Sequence, residues 1–202
     1  MRSSGAAGDT APRPAPYIAR GTGWWGMLMT LFVLISMLAA LLFAYFYLLA
    51  GFDSWPPPSS EEPALGLTSI ASGLLVLSVV PVAAAHLAAR AGTAGGRLPA
   101  ALAATLLLGG AFLLLQFADY GANDIDPARD VYGSLWLALA GFHHINAALA
   151  LVGIGVVVLR VRTGRLTPRE QEMTVTAAHY WYFVVGSWLV IAATLYLTPR
   201  LW

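Results

Sequence analysis

Charge is confined to the gaps of this chain. Five stretches, 24 to 50, 65 to 89, 98 to 118, 131 to 159 and 177 to 198, contain no Asp, Glu, Lys or Arg. At about 1.5 Å rise per residue, even the shortest can cross a hydrocarbon layer of about 30 Å as a helix that satisfies its own backbone hydrogen bonds. The fold class that follows is all-α: a polytopic membrane bundle of five transmembrane helices within residues 24 to 202. Residues 1 to 23 carry Pro12, Pro14 and Pro16 among Ala, Gly and Ser. They read as a flexible cytoplasmic tail rather than a signal peptide.

The gaps also predict orientation, because Lys and Arg near span ends stay on the cytoplasmic side. Arg2, Arg13, Arg20, Arg90, Arg97, Arg160, Arg162, Arg165 and Arg169 fall on one side of the five spans. The other side holds only Arg129 and Arg200, together with Asp53, Glu61, Glu62, Asp119, Asp124, Asp126 and Asp130. The N-terminus is therefore expected inside and the C-terminus outside. The formal net charge of +1 averages over this asymmetry and gives no reason to expect a nucleic-acid partner. With 58% hydrophobic residues, little is left for a soluble domain, and the absence of cysteine excludes disulfides and thiolate chemistry.

Local signals refine the gaps. Pro56, Pro57, Pro58 and Pro63 forbid helix continuation and predict an extended outer loop, and Gly92, Gly95 and Gly96 a short turn. Thr167, Pro168 and Glu170 have the order of an N-cap, a first-turn proline and a capping-box acid, so the fifth helix should begin before its apolar run. Trp24, Trp25, Tyr45, Tyr47, Trp55, Tyr180, Trp181, Tyr196 and Trp202 stand where span ends should meet headgroups. Ala101, Thr105 and Gly109, and likewise Ser69 and Gly73, are small residues at helical spacing and read as close helix packing.

Polar groups inside the spans are few and are the candidates for chemistry: His86, Gln116, Asp119, His143, His144, Asn146, His179 and Tyr182. His143 and Asn146, three apart on one face, read as partners in interhelical hydrogen bonds. Gln116 and Asp119 share a face at the outer end of their span, where the carboxylate opposes the helix dipole. That placement predicts exposure to water or a cationic partner such as Arg129. A second reading is a bis-histidine b-type haem anchor, since His86 and His179 should lie at one depth near the inner face. An autonomous carrier is not expected, because no internal repeat is visible and Pro81 is the only proline within a span besides Pro99 near the start of its own.

Specific segments point to a family. Val131-Tyr132-Gly133-Ser134 with Gly141-Phe142-His143, and Ala177-Ala178-His179-Tyr180-Trp181-Tyr182-Phe183-Val184 with Trp188, resemble subunit III of the haem-copper terminal oxidases. Phe112-Leu113-Leu114-Leu115-Gln116 with Asp119-Tyr120 looks like that family's helix ending in Gln and an acid, and Gly26-Met27, Ala39-Ala40 and Tyr45 keep its register in the first span. The resemblance covers about residues 20 to 198 and matches the five-helix bacterial form. It departs at several positions. The family's membrane-buried glutamate falls on Leu34, its second histidine after Gly-Phe-His on Asn146, and its last histidine and aspartate on Tyr182 and Val185.

The resemblance implies a component of an enzyme rather than a catalyst. It implies no catalytic, cofactor or metal residues in this chain, with haems and copper in partner subunits. It also implies packing against the catalytic subunit I and membrane lipids in support of proton-coupled oxygen reduction. Residues expected at helix packing or at the lipid and subunit interface are His143, Asn146, Gln116, Asp119, Tyr180, Trp181 and Trp188. An accessory protein of a nitric oxide reductase would share the same motifs and stays open as an alternative.

Overall fold

A computed structural model describes residues 21–60, 62–92, 97–123, 125–162 and 167–201. The tail through Arg20, Glu61, Gly95, Gly96, Asp124, Arg165 and Trp202 lie outside the described residues. The described residues contain five helices long and apolar enough to cross a membrane: α1 (Thr22–Leu49), α2 (Gly66–Arg90), α3 (Arg97–Ala122), α4 (Val131–Val161) and α5 (Pro168–Leu201). Each starts or stops where the sequence removes the means to continue. Asp130 caps α4 by accepting the Gly133 amide at 2.9 Å. The capping box of Thr167 and Glu170, with Pro168 in the first turn, opens α5 as expected. Beyond α2, Gly92 takes φ 67°, which only glycine adopts without a Cβ penalty.

Helices α2 to α5 form a closed ring in which each packs on two others: α2 on α3 and α5, and α4 on α3 and α5. Within the ring, Phe112, Leu139, Ile154, Trp181, Trp188 and Ile191 are buried. The apolar first helix stays outside, lying against α5 and α4. Its outer side is bare: Phe32 and Phe43 are each 71% exposed and Tyr47 70%. In an aqueous protein such a face would be a liability; facing hydrocarbon or another subunit it costs nothing.

Two helices are irregular for identifiable reasons. Helix α2 breaks between Leu77 and Val79, three residues before Pro81, whose missing N–H leaves the Leu77 carbonyl without its helical partner. The Ser78 hydroxyl fills part of the break by donating to the Leu75 carbonyl. Helix α5 passes through a π segment at Ala193–Leu197, whose extra residue per turn turns Thr194, Leu195 and Tyr196 inward.

Some sequence expectations need correction here. Of the aromatic side chains expected at headgroup level, Trp25 and Tyr47 are exposed, but Tyr45, Trp55, Trp181 and Tyr196 are buried in the protein. Tyr45 and Trp55 meet each other, the indole donating to the hydroxyl at 2.8 Å, which folds the loop between α1 and α2 back onto the bundle. Of the two small-residue stripes, only the one at Thr105 and Gly109 faces a neighbour; Ser69 and Gly73 face outward.

Candidate functional site

The polar side chains of the spans gather inside the ring and along its seam with α1. Near the C-terminal end of α3, Asp119 is only 1% exposed, so it is not open to water as the sequence had implied. Its Oδ2 accepts from the Thr68 hydroxyl at 3.0 Å and from the Tyr196 hydroxyl at 2.8 Å. The π segment matters here, since it brings Tyr196 to the inner face of α5. Gln116, one turn earlier on α3, is equally buried, with its amide oxygen 3.4 Å from the same Thr68 hydroxyl. The Arg129 guanidinium reaches the Ser59 carbonyl.

Deeper in the ring, His143 of α4 is fully buried, and its Nε2 donates to the Val184 carbonyl of α5 at 3.0 Å. Its ring packs between Phe112 and Trp188, with centroids 5.5 and 4.8 Å away. Asn146 donates to the Phe142 carbonyl on its own helix and accepts from the Tyr180 hydroxyl of α5 at 2.7 Å. His144 lies on the α3 side, with Nδ1 3.2 Å from the Tyr120 hydroxyl. Two indoles of α5 tie it to α2: Trp181 donates to Ser78 and Trp188 to Ser72, each at 2.8 Å. Asp119, His143, Asn146, Tyr180, Trp181 and Trp188 each bond to a residue of another helix, and Asn146 also bonds within its own.

The second reading of His86 and His179 does not fit the geometry. Axial histidines stand on opposite faces of a macrocycle. Here the two rings pack edge to face with centroids 4.9 Å apart, which leaves no space for a macrocycle between them. His86 instead faces the Tyr182 hydroxyl at 3.2 Å. His179 donates from Nδ1 to the Val175 carbonyl one turn back at 2.7 Å, and its ring meets Trp24 of α1 at 5.1 Å.

Between α1, α4 and α5 runs a groove of about 550 Å³ with apolar walls of Met27, Leu149, Val157 and Met173. Arg169, Glu172 and Tyr180 supply its polar atoms, and Glu172 Oε1 is buried there without a partner. Leu34, where the resemblance places a glutamate, is half-buried and packs against the apolar core.

Sequence reasoning missed the α2 hydroxyls. Thr68, Ser72 and Ser78 are the acceptors or donors that four of these long-range bonds require. The signal was present as hydroxyls inside an apolar run, Thr68 and Ser72 four apart on one helix face and Ser78 six residues on, each needing a partner once buried.

Comparison with known proteins gives the geometry its setting. The family model for cytochrome c oxidase subunit III matches residues 15–200. Cytochrome c oxidase subunit 3 of Gallus gallus is 32% identical over 144 residues, covering 69% of this chain and 54% of that protein. The protein of the same name from Oryctolagus cuniculus is 29% identical over 143 residues, covering 70% of this chain and 54% of its own. Cytochrome bo(3) ubiquinol oxidase subunit 3 of Pseudomonas aeruginosa is 26% identical over 182 residues, covering 89% of this chain and 85% of that protein. The chain thus spans about half the length of the animal relatives and most of the bacterial one. By the extent of the family match, the chain belongs to the cytochrome c oxidase subunit III family.

Proposed function

We propose that this chain is a non-catalytic accessory subunit, a subunit III, of a respiratory haem-copper oxidase. It packs against the catalytic subunit I and membrane lipid, and it supports assembly and sustained proton-coupled oxygen reduction. Haems and copper belong to the partner subunits. The observation that carries this reading is the family match over residues 15–200, which takes in all five helices. Two features support it. The bare outer side of α1 needs a cover of lipid or protein, and the groove beside it has walls that suit acyl chains and an arginine that suits a lipid phosphate. The buried side chains hold helices together and leave the chemistry to partners.

The host membrane in this reading is the inner membrane of a bacterial cell, with the N-terminus in the cytoplasm and the C-terminus outside, an orientation that the arginine distribution supports. Isolation of the tagged chain from its native membrane in mild detergent tests the proposal. The expected result is co-purification of a haem-containing subunit whose reduced spectrum and oxygen consumption are those of a terminal oxidase. A chain isolated without any haem subunit, or with one that reduces nitric oxide and not oxygen, overturns it.

A further inference from the structure

The outer end of the ring holds a buried carboxylate whose hydrogen bonds do not close. Asp119 Oδ1 and the Gln116 amide nitrogen are both buried without a partner, although the two residues stand one turn apart on the same face of α3. Thr68 has one hydroxyl hydrogen and two oxygens near it, Asp119 Oδ2 at 3.0 Å and the Gln116 oxygen at 3.4 Å. It can donate to only one, and the carboxylate is the nearer and the stronger acceptor. The Gln116 amide therefore satisfies Thr68 only when turned over, its nitrogen donating to the threonine oxygen; amide oxygen and nitrogen are interchangeable assignments in such a case. Turned over, Gln116 presents its oxygen where the nitrogen stood. Two acceptors, Asp119 Oδ1 and the Gln116 amide oxygen, are then both left unpaired, on buried residues that share one face of α3.

Charge argues in the same direction. A buried carboxylate is paired with a cation, binds one, or takes up a proton. Among the described residues no basic side chain bonds to Asp119. Arg200, one turn beyond Tyr196, directs its guanidinium at the Tyr196 and Pro63 carbonyls and the Glu62 carboxylate. Thr68 and Tyr196 spend their hydroxyl hydrogens on Oδ2 and fix the carboxylate in place, leaving Oδ1 free on its other side.

We propose that Asp119 Oδ1 and the Gln116 amide oxygen bind one small monovalent cation of the sodium kind, held inside the ring by a carboxylate that Thr68 and Tyr196 orient. Oxygen ligands select a hard cation, and one carboxylate balances one positive charge. The indole N–H of Trp136 is also buried without a partner, its ring 4.7 Å from that of Tyr120 and 6.4 Å from that of Tyr196. Asp119 lies one turn from the end of α3 at Ala122, so the ion enters from the outer surface and crosses little of the bundle. Its binding closes α2, α3 and α5 around one charge. This site is independent of the accessory role and stands or falls without it.

The test is sodium-23 NMR on the full chain in detergent, in the complex from which it is extracted, titrated with sodium chloride while choline chloride holds ionic strength constant. Saturable line broadening is expected, absent in Asp119→Asn and shifted to about tenfold or more weaker binding in Gln116→Leu. The melting midpoint of the unsubstituted protein should also rise by roughly 3 °C or more per tenfold increase in sodium above the dissociation constant. If Asp119→Asn does not fold, Gln116→Leu and the unsubstituted titration decide the matter. Broadening that does not saturate, or equal midpoints in sodium and choline, overturns the proposal. So does an infrared band of a protonated carboxyl that disappears in Asp119→Asn, since a proton would then occupy the place of the ion.

Discussion

The indole of Trp181 donates to the Ser78 hydroxyl at 2.8 Å while its six-membered ring lies directly over Gly109. Three helices meet in this one contact. A Cβ built on Gly109 would stand 2.4 Å from Trp181 Cη2 and 2.7 Å from Leu151 Cδ2, so α3 approaches α4 and α5 this closely only because the residue has no side chain. Trp181 is fully buried and held by its hydrogen bond, which removes the easy route of relief. Gly109→Ala should therefore destabilise the bundle by about 1 to 3 kcal/mol, the usual cost of overpacking. A thermal melt of the detergent-purified chain, with Gly110→Ala as the control that meets open space, checks this.

His143 should act on assembly before it acts on turnover. Its Nε2 to Val184 bond joins α4 to α5, and an interhelical bond of this kind contributes about 0.6 to 1.7 kcal/mol in a membrane bundle. His143→Leu and Asn146→Leu each remove one such tie. Both should lower the amount of assembled complex in the membrane while leaving turnover per assembled complex within about twofold of the parent. A variant that assembles fully and has lost proton pumping would give the pair a conducting role instead.

Acid should loosen the loop between α1 and α2. Asp130 caps α4 with one oxygen and takes the Ser59 and Ser60 hydroxyls on the other, each at 2.6 Å. Partial burial works against its charge, but those hydroxyls and the Gly133 and Tyr132 amides outweigh it and hold its carboxyl below the usual carboxylate range. A folded pKa below the unfolded one makes the contribution complete above the ordinary aspartate range and lost as pH falls through the lowered value. The melting difference between the parent and Asp130→Asn should be constant from neutral pH to about pH 5 and shrink below about pH 4. A difference that does not change across that interval would show that Asp130 acts only as a cap.

What the sequence disclosed and what it hid divide along one physical line. Hydrocarbon permits no charge and no broken backbone, so the five charge-free runs marked the helices to within a few residues at most ends. The cap at Thr167 and Glu170 was legible because it is local. The facing of side chains was not. An acid closing an apolar run reads the same whether it turns to water or inward, and the groups that decide it for Asp119 are Thr68, 51 positions before it, and Tyr196, 77 positions after. Tyr196 reaches it through a π segment that no residue pattern announces. Buried Tyr45, Trp55, Trp181 and Tyr196 misled for the same reason: an aromatic near a span end suits the headgroup layer and the protein interior equally well.

Topology is open to direct measurement. Nine arginines on one side against two on the other should place a reporter inserted after Gly164 in the cytoplasm and one fused after Trp202 outside. The bias is shared among three inner segments, so no single arginine substitution should reverse it. The opposite pattern of reporter activity would invert every statement about inner and outer ends.

The chain should resist a hydrophobic carbodiimide along α1. Such a reagent attacks carboxyls in apolar surroundings, where the neutral form is favoured by desolvation. Residues 24 to 50 contain no Asp or Glu, and the position where the family resemblance places a glutamate is Leu34. Leu34 is half-buried against the core, on the side of α1 that turns toward the ring rather than toward the bare outer face of Phe32 and Phe43. Leu34→Glu should create a labelled site at that depth. Peptide mapping of the labelled product reads the position. Label found within 24 to 50 of the unsubstituted chain would contradict the assignment, since no side chain there carries a carboxyl. Leu34→Glu that folds but stays unlabelled would place that side chain in contact with water, and α1 would then have to stand farther from the ring than the packing against α5 and α4 allows.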